Sequence, residues 1–171
     1  MRVVSIQRDH PFATPEPQRD AARRLRARLA APVTLWASGV GAGRAGLTVS
    51  SMLVALGAPA QVLGLIDPDT DLAGVLRPGA RFTVSVLGPR QRRAVEVFAG
   101  LGPSPGGPFA VAEFLDTDWG PRPAASATWA GARVVDVRPL GWSSEVAGVL
   151  EHVAVGDEDG LLHLRGTLRA P

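Results

Sequence analysis

Glycine and proline divide this sequence into short apolar segments, and this division limits the folds that the chain can form. There are 20 glycines and 15 prolines in 171 residues. The segments between them have the length and the apolar pattern of strands. The predicted strands are Val33–Ser38, Gly46–Val54, Gln61–Ile66, Arg81–Leu87, Thr128–Val137, Glu145–Val155 and Leu161–Leu168. They do not alternate with long helices, so the sequence predicts a mainly β, α+β fold with a closed or partly closed barrel.

A first helix is predicted over Glu16–Ala31. Ala21, Leu25 and Leu29 recur at fourfold spacing, and Pro32 ends the helix. The same segment carries four arginines, which are Arg23, Arg24, Arg26 and Arg28. They form either a solvated face or a polar wall beside an anionic ligand, and we prefer the solvated face.

Two short helices are predicted further along the chain. Asp67–Asp71 has the composition of a turn that starts a helix, with Asp69 or Thr70 as the N-cap. This helix ends before Pro78. The second helix covers Pro89–Gly100, and the glycine- and proline-rich stretch after it is predicted as a loop.

Length and charge narrow the class of protein. We expect one domain, residues 1–171, in which residues 1–17 form an irregular arm and Val3–Ile6 has the pattern of a short strand. The formal net charge is only +2, so we expect no nucleic-acid partner. No segment is apolar enough to span a membrane, and Met1–Asp20 lacks the apolar core of a secretion signal. We therefore expect a cytoplasmic protein without membrane association.

The sequence lacks several common reaction centres. It has no cysteine, and it has no lysine for a phosphate-binding P-loop. His10, His152 and His163 are far apart, so no metal site is predicted. Gly39–Gly43 leads into a strand and is predicted as a hairpin turn. The aspartates of Asp67–Asp71 lack the glycine and the terminal glutamate of a calcium-binding loop. No residue is assigned a catalytic role.

Three small hydroxyl residues, Thr48, Ser50 and Ser51, lie among apolar residues in one predicted strand. They either occupy the solvent side of an alternating strand or bind a ligand. The sequence around them can be compared with known families through six segments. These are Pro32–Ala37, Gly46–Ser51 (GLTVSS), Pro59–Ile66, Arg81–Leu87 (RFTVSVL), Val97–Ala99 and Leu161–Gly166 (LLHLRG). In order and spacing they resemble the flavin reductase-like family, from about Arg23 to Arg169.

The resemblance implies an FMN-binding split β-barrel that forms a homodimer. Relatives hold FMN, or sometimes FAD, in a groove at the dimer interface. Many transfer a hydride from NADH or NADPH to the flavin and pass the reduced flavin to a partner monooxygenase. The flavin site implied for this chain consists of Thr34, Thr48, Val49, Ser50, Ser51, Asp67, Arg81 and Ser85. Arg81 or the helix arginines would balance the charge of the flavin phosphate.

The sequence departs from the family pattern at several places, three of which are segments around the expected flavin and nicotinamide sites. Met52–Leu56 is apolar where relatives commonly continue with Ser and Thr, and Asp67–Asp71 is acidic near the expected phosphate. Ser143–Glu145 stands where relatives commonly have Gly-Asp-His, so Glu145 replaces a histidine that is often near the nicotinamide. Three functions stay open: an NAD(P)H-dependent flavin reductase, a flavin-binding protein without reductase activity, and a split barrel that binds another small molecule.

Overall fold

The computed structural model describes residues 16–171. The predicted arm and its strand pattern at Val3–Ile6 lie outside the described residues, except that Glu16 and Pro17 begin the first helix. The described helices are α1 (Glu16–Arg28), α2 (Asp71–Val75) and α3 (Arg92–Phe98). The described strands are β1 (Ala31–Pro32), β2 (Thr34–Ser38), β3 (Ala45–Val49), β4 (Met52–Ala55), β5 (Gln61–Ile66), β6 (Arg81–Val86), β7 (Phe114–Thr117), β8 (Gly120–Pro123), β9 (Trp129–Leu140), β10 (Ser143–Ala154), β11 (Leu162–Leu164) and β12 (Thr167–Arg169).

Seven strands form one sheet in the order β3-β2-β6-β9-β10-β5-β4, and all neighbouring pairs are antiparallel. The two edge strands, β3 and β4, are separated along the chain by only Ser50 and Ser51. Such a connection spans at most about 11 Å, so the sheet has to curl until its edges approach each other. The Leu65 N–H donates to the Ser51 carbonyl at 2.9 Å and attaches β5 to this connection. The mainly β fold class is confirmed.

Large aromatic side chains fill the inside of the curled sheet. Trp36 and Phe82 are buried and stack with their ring centroids 5.0 Å apart. The strands opposite them carry glycine at the points of closest approach. A Cβ added to Gly64 would lie 2.5 Å from Trp36 Cη2, and one added to Gly148 would lie 2.8 Å from Phe82 Cε1. The two glycines therefore make room for the two rings.

A second apolar cluster covers the other face of the sheet. Leu35 and Leu87 pack there against Val95 and Phe98 of α3. Side chains along β2 alternate between the two faces, so Leu35 belongs to this outer cluster whereas the next residue, Trp36, belongs to the inner one. This alternation decides which face each predicted site residue occupies.

The structure confirms most of the predicted elements and corrects two strands. Gly46–Val54 is not one strand: it breaks at Ser50–Ser51, because β3 pairs with β2 while β4 pairs with β5. Leu161–Leu168 is a hairpin, because Arg165 and Gly166 both have positive φ and reverse the chain. The N-cap of α2 is Thr70, which is one of the two predicted candidates.

We predict that Gly64→Ala destabilises the barrel by about 1–3 kcal/mol, because the new methyl group would overlap the buried ring of Trp36. Chemical denaturation followed by tryptophan fluorescence measures this change. Gly74→Ala is the matched control, since Gly74 lies in α2 with no atom near its Cβ position. It is expected to be neutral or stabilising by up to about 1 kcal/mol. Equal effects of the two substitutions would refute the packing explanation.

Candidate functional site

The connection between β3 and β4, Ser50–Ser51, is the candidate site, and we call it the serine junction. Both serines are half-buried, and their hydroxyl groups make no side-chain hydrogen bond to the residues that the structure describes. The start of β2 lies beside the junction. The Thr34 hydroxyl donates to the Val49 carbonyl at 2.6 Å and lies 3.5 Å from Met52 Sδ. The hydroxyl groups of Ser50 and Ser51 are thus held between two strands, β3 and β4, without a partner among the described residues.

The other predicted hydroxyl residues are divided between the two faces of the sheet. Leu35 is paired with both Thr48 and Ser85, so these three side chains share the outer face. The Thr48 hydroxyl donates to the Val95 carbonyl at 2.9 Å and holds α3 against β3. Thr34 is paired with Val49 on the inner face. Thr34 and Thr48 therefore satisfy their hydroxyl groups within the protein and face in opposite directions.

Ser85 is a different case among the predicted site residues. Its hydroxyl oxygen is fully buried and has no hydrogen-bond partner within the described chain. A buried hydroxyl group without a partner is uncommon and calls for a water molecule or ligand group. It lies on the outer face beside Leu35, with which Ser85 is paired. Ser85 is thus separated from the inner-face residues Thr34 and Val49 by the thickness of the sheet.

The acidic turn after β5 lies beside the serine junction. Asp67 follows Ile66, the last residue of β5, and is exposed. Its carboxylate accepts the Asp69 N–H at 2.9 Å, and the Thr70 hydroxyl donates to the Asp67 carbonyl at 2.8 Å. Thr70 then caps α2 by accepting the Ala73 N–H. These local hydrogen bonds account for the turn, and they leave its negative charge exposed near the junction.

The structure does not bring Arg81 to the other predicted site residues. Arg81 begins β6, and the junction side of that strand is its last residue, Val86, which is paired with Thr34. Arg81 and Val86 are five residue steps apart along the strand, which corresponds to about 16 Å. The Arg81 guanidinium instead lies 3.6 Å from the Glu151 carboxylate.

Glu145, on β10, lies beside the residue of β5 that contacts the junction. It is paired with Leu65, whose N–H binds the Ser51 carbonyl. Arg138 donates to its carboxylate at 2.7 Å. This hydrogen bond lowers the pKa of Glu145 below its ordinary value, so the side chain is anionic at neutral pH. The pairing partner Arg138 was not identified from the sequence, because only the β9–β10 register brings it opposite Glu145.

An aromatic cluster that was not predicted fixes the hairpin of β7 and β8. Trp119, in the turn of this hairpin, packs directly on Gly131 of β9 and stacks on His152 with ring centroids 5.3 Å apart. Its indole N–H donates to the Glu151 carboxylate at 2.9 Å. Arg133 donates to the same carboxylate at 2.7 Å. The sequence between Pro108 and Ala127 has little alternation, so this hairpin gave no strand signal.

The described residues contain neither a membrane-spanning helix nor a cluster of metal-binding side chains. No helix in residues 16–171 is long and apolar enough to cross a membrane. No group of three or more His, Asp or Glu side chains in that range has metal-binding geometry.

Sequence comparison identifies the family. The sequence model of the flavin reductase like domain matches residues 26–171. The chain belongs to the flavin reductase-like domain family. The resemblance deduced from the six segments is therefore confirmed. A search of curated protein sequences found no match to this chain.

Solved structures of flavin reductases have the same split-barrel fold as this family member. The NADH:FAD oxidoreductase SgcE6 of Streptomyces globisporus C-1027 matches with a TM-score of 0.79 at 22% identity, covering 93% of this chain and 96% of SgcE6. The flavin reductase PheA2 matches with a TM-score of 0.80 at 18% identity, covering 89% of this chain and 97% of PheA2. BorF is the flavin reductase component of a bacterial two-component tryptophan halogenase. It matches with a TM-score of 0.77 at 20% identity, covering 89% of this chain and 97% of BorF. The predicted split barrel is confirmed.

We predict an acid-dependent loss of stability through Glu151. The hydrogen bond from Trp119 is the largest cause of a lowered pKa of Glu151, and the hydrogen bond from Arg133 is the second largest. The stabilisation is therefore present above about pH 4.3, the ordinary pKa of glutamate, and is lost as the pH falls through the lowered value. The difference in Tm between the native protein and Glu151→Gln is expected to be largest near pH 6 and to shrink toward pH 3. Trp119→Phe should reduce the same difference, and a difference independent of pH would contradict the prediction.

Proposed function

We propose that this protein is an NAD(P)H-dependent flavin reductase that supplies reduced FMN or FAD to a partner monooxygenase. The observation that carries the proposal is the flavin reductase like domain, which covers residues 26–171 and includes the serine junction. SgcE6 is named an NADH:FAD oxidoreductase, and one of its structures is a complex with NAD and FAD fragments. The flavin reductase HpaC was solved with NADP+. BorF is the reductase component of a two-component halogenase.

The junction has the polar groups that a flavin ring requires. An isoalloxazine ring has carbonyl groups and ring nitrogens, which need small hydrogen-bonding partners on a rigid strand. Ser50 and Ser51 offer hydroxyl groups that no described residue occupies, and β2, β4 and β5 fix their backbone. A bound flavin supplies the ability to accept a hydride and to pass on electrons. The protein binds and orients the ring and excludes water from it.

The charge near the junction affects the two ends of a flavin differently. Asp67, Asp69 and Asp71 are exposed beside it, and their carboxylates repel a phosphate group placed at the end of β5. Glu145 adds a carboxylate that Arg138 already neutralises in part. The ring end of a flavin therefore fits this side of the junction, whereas the phosphate end requires cations elsewhere.

We also propose that two copies form a dimer through the outer face of β4 and β5. Leu53 is 72% exposed and pairs with Leu63, and Leu65 and Val149 continue the apolar surface on the same face. Leu56 at the tip of the hairpin is 92% exposed. A contiguous exposed apolar surface of this kind is typical of a protein interface. This face adjoins the serine junction, so a second copy would close the groove over a bound ring.

The first test is the absorption spectrum of the purified protein, followed by titration with FMN, FAD and riboflavin. We expect flavin bands on the bound ligand, a Kd on the micromolar scale, and oxidation of NADH or NADPH when flavin is added. Flavin binding without oxidation of either nucleotide would indicate a flavin-binding protein without reductase activity. Failure to bind any of the three flavins would refute the proposal and point to another small molecule.

Variants at the junction separate binding hydroxyl groups from structural ones. Ser50→Ala with Ser51→Ala is expected to raise the flavin Kd by about tenfold, because hydrogen bonds to the ring are lost. Thr48→Val removes only the bond to the Val95 carbonyl. It should lower the free energy of unfolding by about 1 kcal/mol and leave the Kd within about twofold. The reverse pattern would assign the ring to the outer face.

The dimer is tested by placing a charge in the proposed interface. Leu53→Glu is expected to convert the dimer to a monomer, as measured by light scattering, because a carboxylate is costly to bury without a partner. Leu101→Glu is the matched control, since Leu101 is 81% exposed in the loop after α3, away from β4 and β5. A native protein that is already monomeric at micromolar concentration would refute the interface.

A further inference from the structure

The turn between β9 and β10 carries a large aromatic side chain at one end of the sheet. Gly141 and Trp142 form this turn, and Leu140 before it is paired with Ser143 after it. Trp142 is 51% exposed. Gly141 has the positive φ, 61°, that lets the chain reverse, so the shape of the turn does not require an aromatic residue next to it. The presence of Trp142 therefore needs another explanation.

The other tryptophans of the sequence pack on rings inside the described chain. Trp36 stacks on a buried phenylalanine, and Trp119 and Trp129 both contact the ring of His152. These indoles contribute to the core or hold the β7–β8 hairpin on the sheet. Trp142 has no such contact with another ring within residues 16–171. Its indole is therefore available to a ring that comes from outside this part of the chain.

Strand pairing places the turn near the serine junction. Glu145, three residues after Trp142, is paired with Leu65 of β5. The Leu65 N–H in turn donates to the Ser51 carbonyl at 2.9 Å. Two strand spacings of about 4.8 Å and three residue steps of about 3.3 Å thus lie between Ser51 and Trp142, so their backbones are about 14 Å apart.

The ring of a flavin has the size and the charge that this gap requires. Single exposed apolar side chains are common on protein surfaces, so exposure alone does not identify a site. The position of Trp142 is more informative, because a tryptophan side chain and a tricyclic isoalloxazine ring together span such a distance. Aromatic rings stack on an indole in an offset arrangement. The acidic turn that starts at Asp67, directly after β5, repels phosphate and favours an uncharged ring on this side.

We propose that Trp142 stacks on the ring of a flavin that is bound at the serine junction. This inference rests on the proposed function and adds a residue to its site. Ser50 and Ser51 bind the polar edge of the ring through hydrogen bonds, whereas the indole covers one face of the ring. The register between β5 and β10 is what brings the turn to this position.

The test compares two substitutions of Trp142 with a control in the same turn. Trp142→Leu removes the aromatic ring, and Trp142→Phe keeps a smaller one. Leu140→Ala is the matched control, because Leu140 is 46% exposed beside the same turn but lies on β9, one strand farther from the junction. Tm and light scattering establish whether each variant keeps the fold and the oligomeric state of the native protein.

Riboflavin and FMN are titrated into each full-length protein, and both the Kd and the fluorescence of the bound flavin are measured. Riboflavin has the ring without a phosphate, and an indole stacked on the ring quenches the emission of the flavin. We expect Trp142→Leu to raise the Kd of both ligands about tenfold, and Trp142→Phe to raise it no more than about threefold. The bound flavin should emit more strongly in both Trp142 variants than in the native protein or in Leu140→Ala.

Three results would overturn the inference while the proposed function stands, since the native protein would still bind flavin. The first is that Trp142→Leu and Leu140→Ala have equal Kd values and equal emission. The second is a raised Kd without stronger emission, because the indole would then act on the hairpin and not on the ring. The third is a raised Kd that accompanies conversion to a monomer, which would assign the indole to the dimer interface. If the native protein binds no flavin, the proposed function fails and the inference fails with it.

Discussion

The short connection from β3 to β4 is the constraint on which the rest of this structure depends. Only Ser50 and Ser51 join β3 and β4, the two edge strands of a seven-stranded sheet, so the sheet has to curl. The curl produces an enclosed interior, and it brings the start of β2 and the end of β5 to one place. The same two residues that close the fold therefore provide the free hydroxyl groups of the candidate site.

The packing of the interior depends on a match of large and small residues across the barrel. Trp36 and Phe82 occupy the centre because Gly64 and Gly148 stand opposite them. Tight packing of this kind limits the movement of β5, and β5 also holds the Ser51 carbonyl. The core thus contributes to function indirectly, by keeping the serine junction in a fixed position.

Negative charge is concentrated on one side of the junction. The carboxylates of Asp67, Asp69 and Asp71 are exposed at the end of β5, whereas the Glu145 carboxylate is paired with Arg138. Carboxylates repel a phosphate group, so this side of the junction favours a polar group without negative charge. The ring of a flavin is such a group.

The sequence by itself indicated most of the strands, an N-cap at Asp69 or Thr70, and the family. Alternation, turn residues and capping chemistry are local properties, so Gln61–Ile66 was predicted with the bounds that the structure has. It did not determine which candidate residues meet. Thr48 and Thr34 face opposite sides, Arg81 lies about 16 Å along β6 from the junction, and Trp119 packs on a strand that follows it by ten residues. Only the tertiary structure decided these relations, because strand order and register depend on the pairing of distant segments, and a shift of one residue moves a side chain to the other face of the sheet.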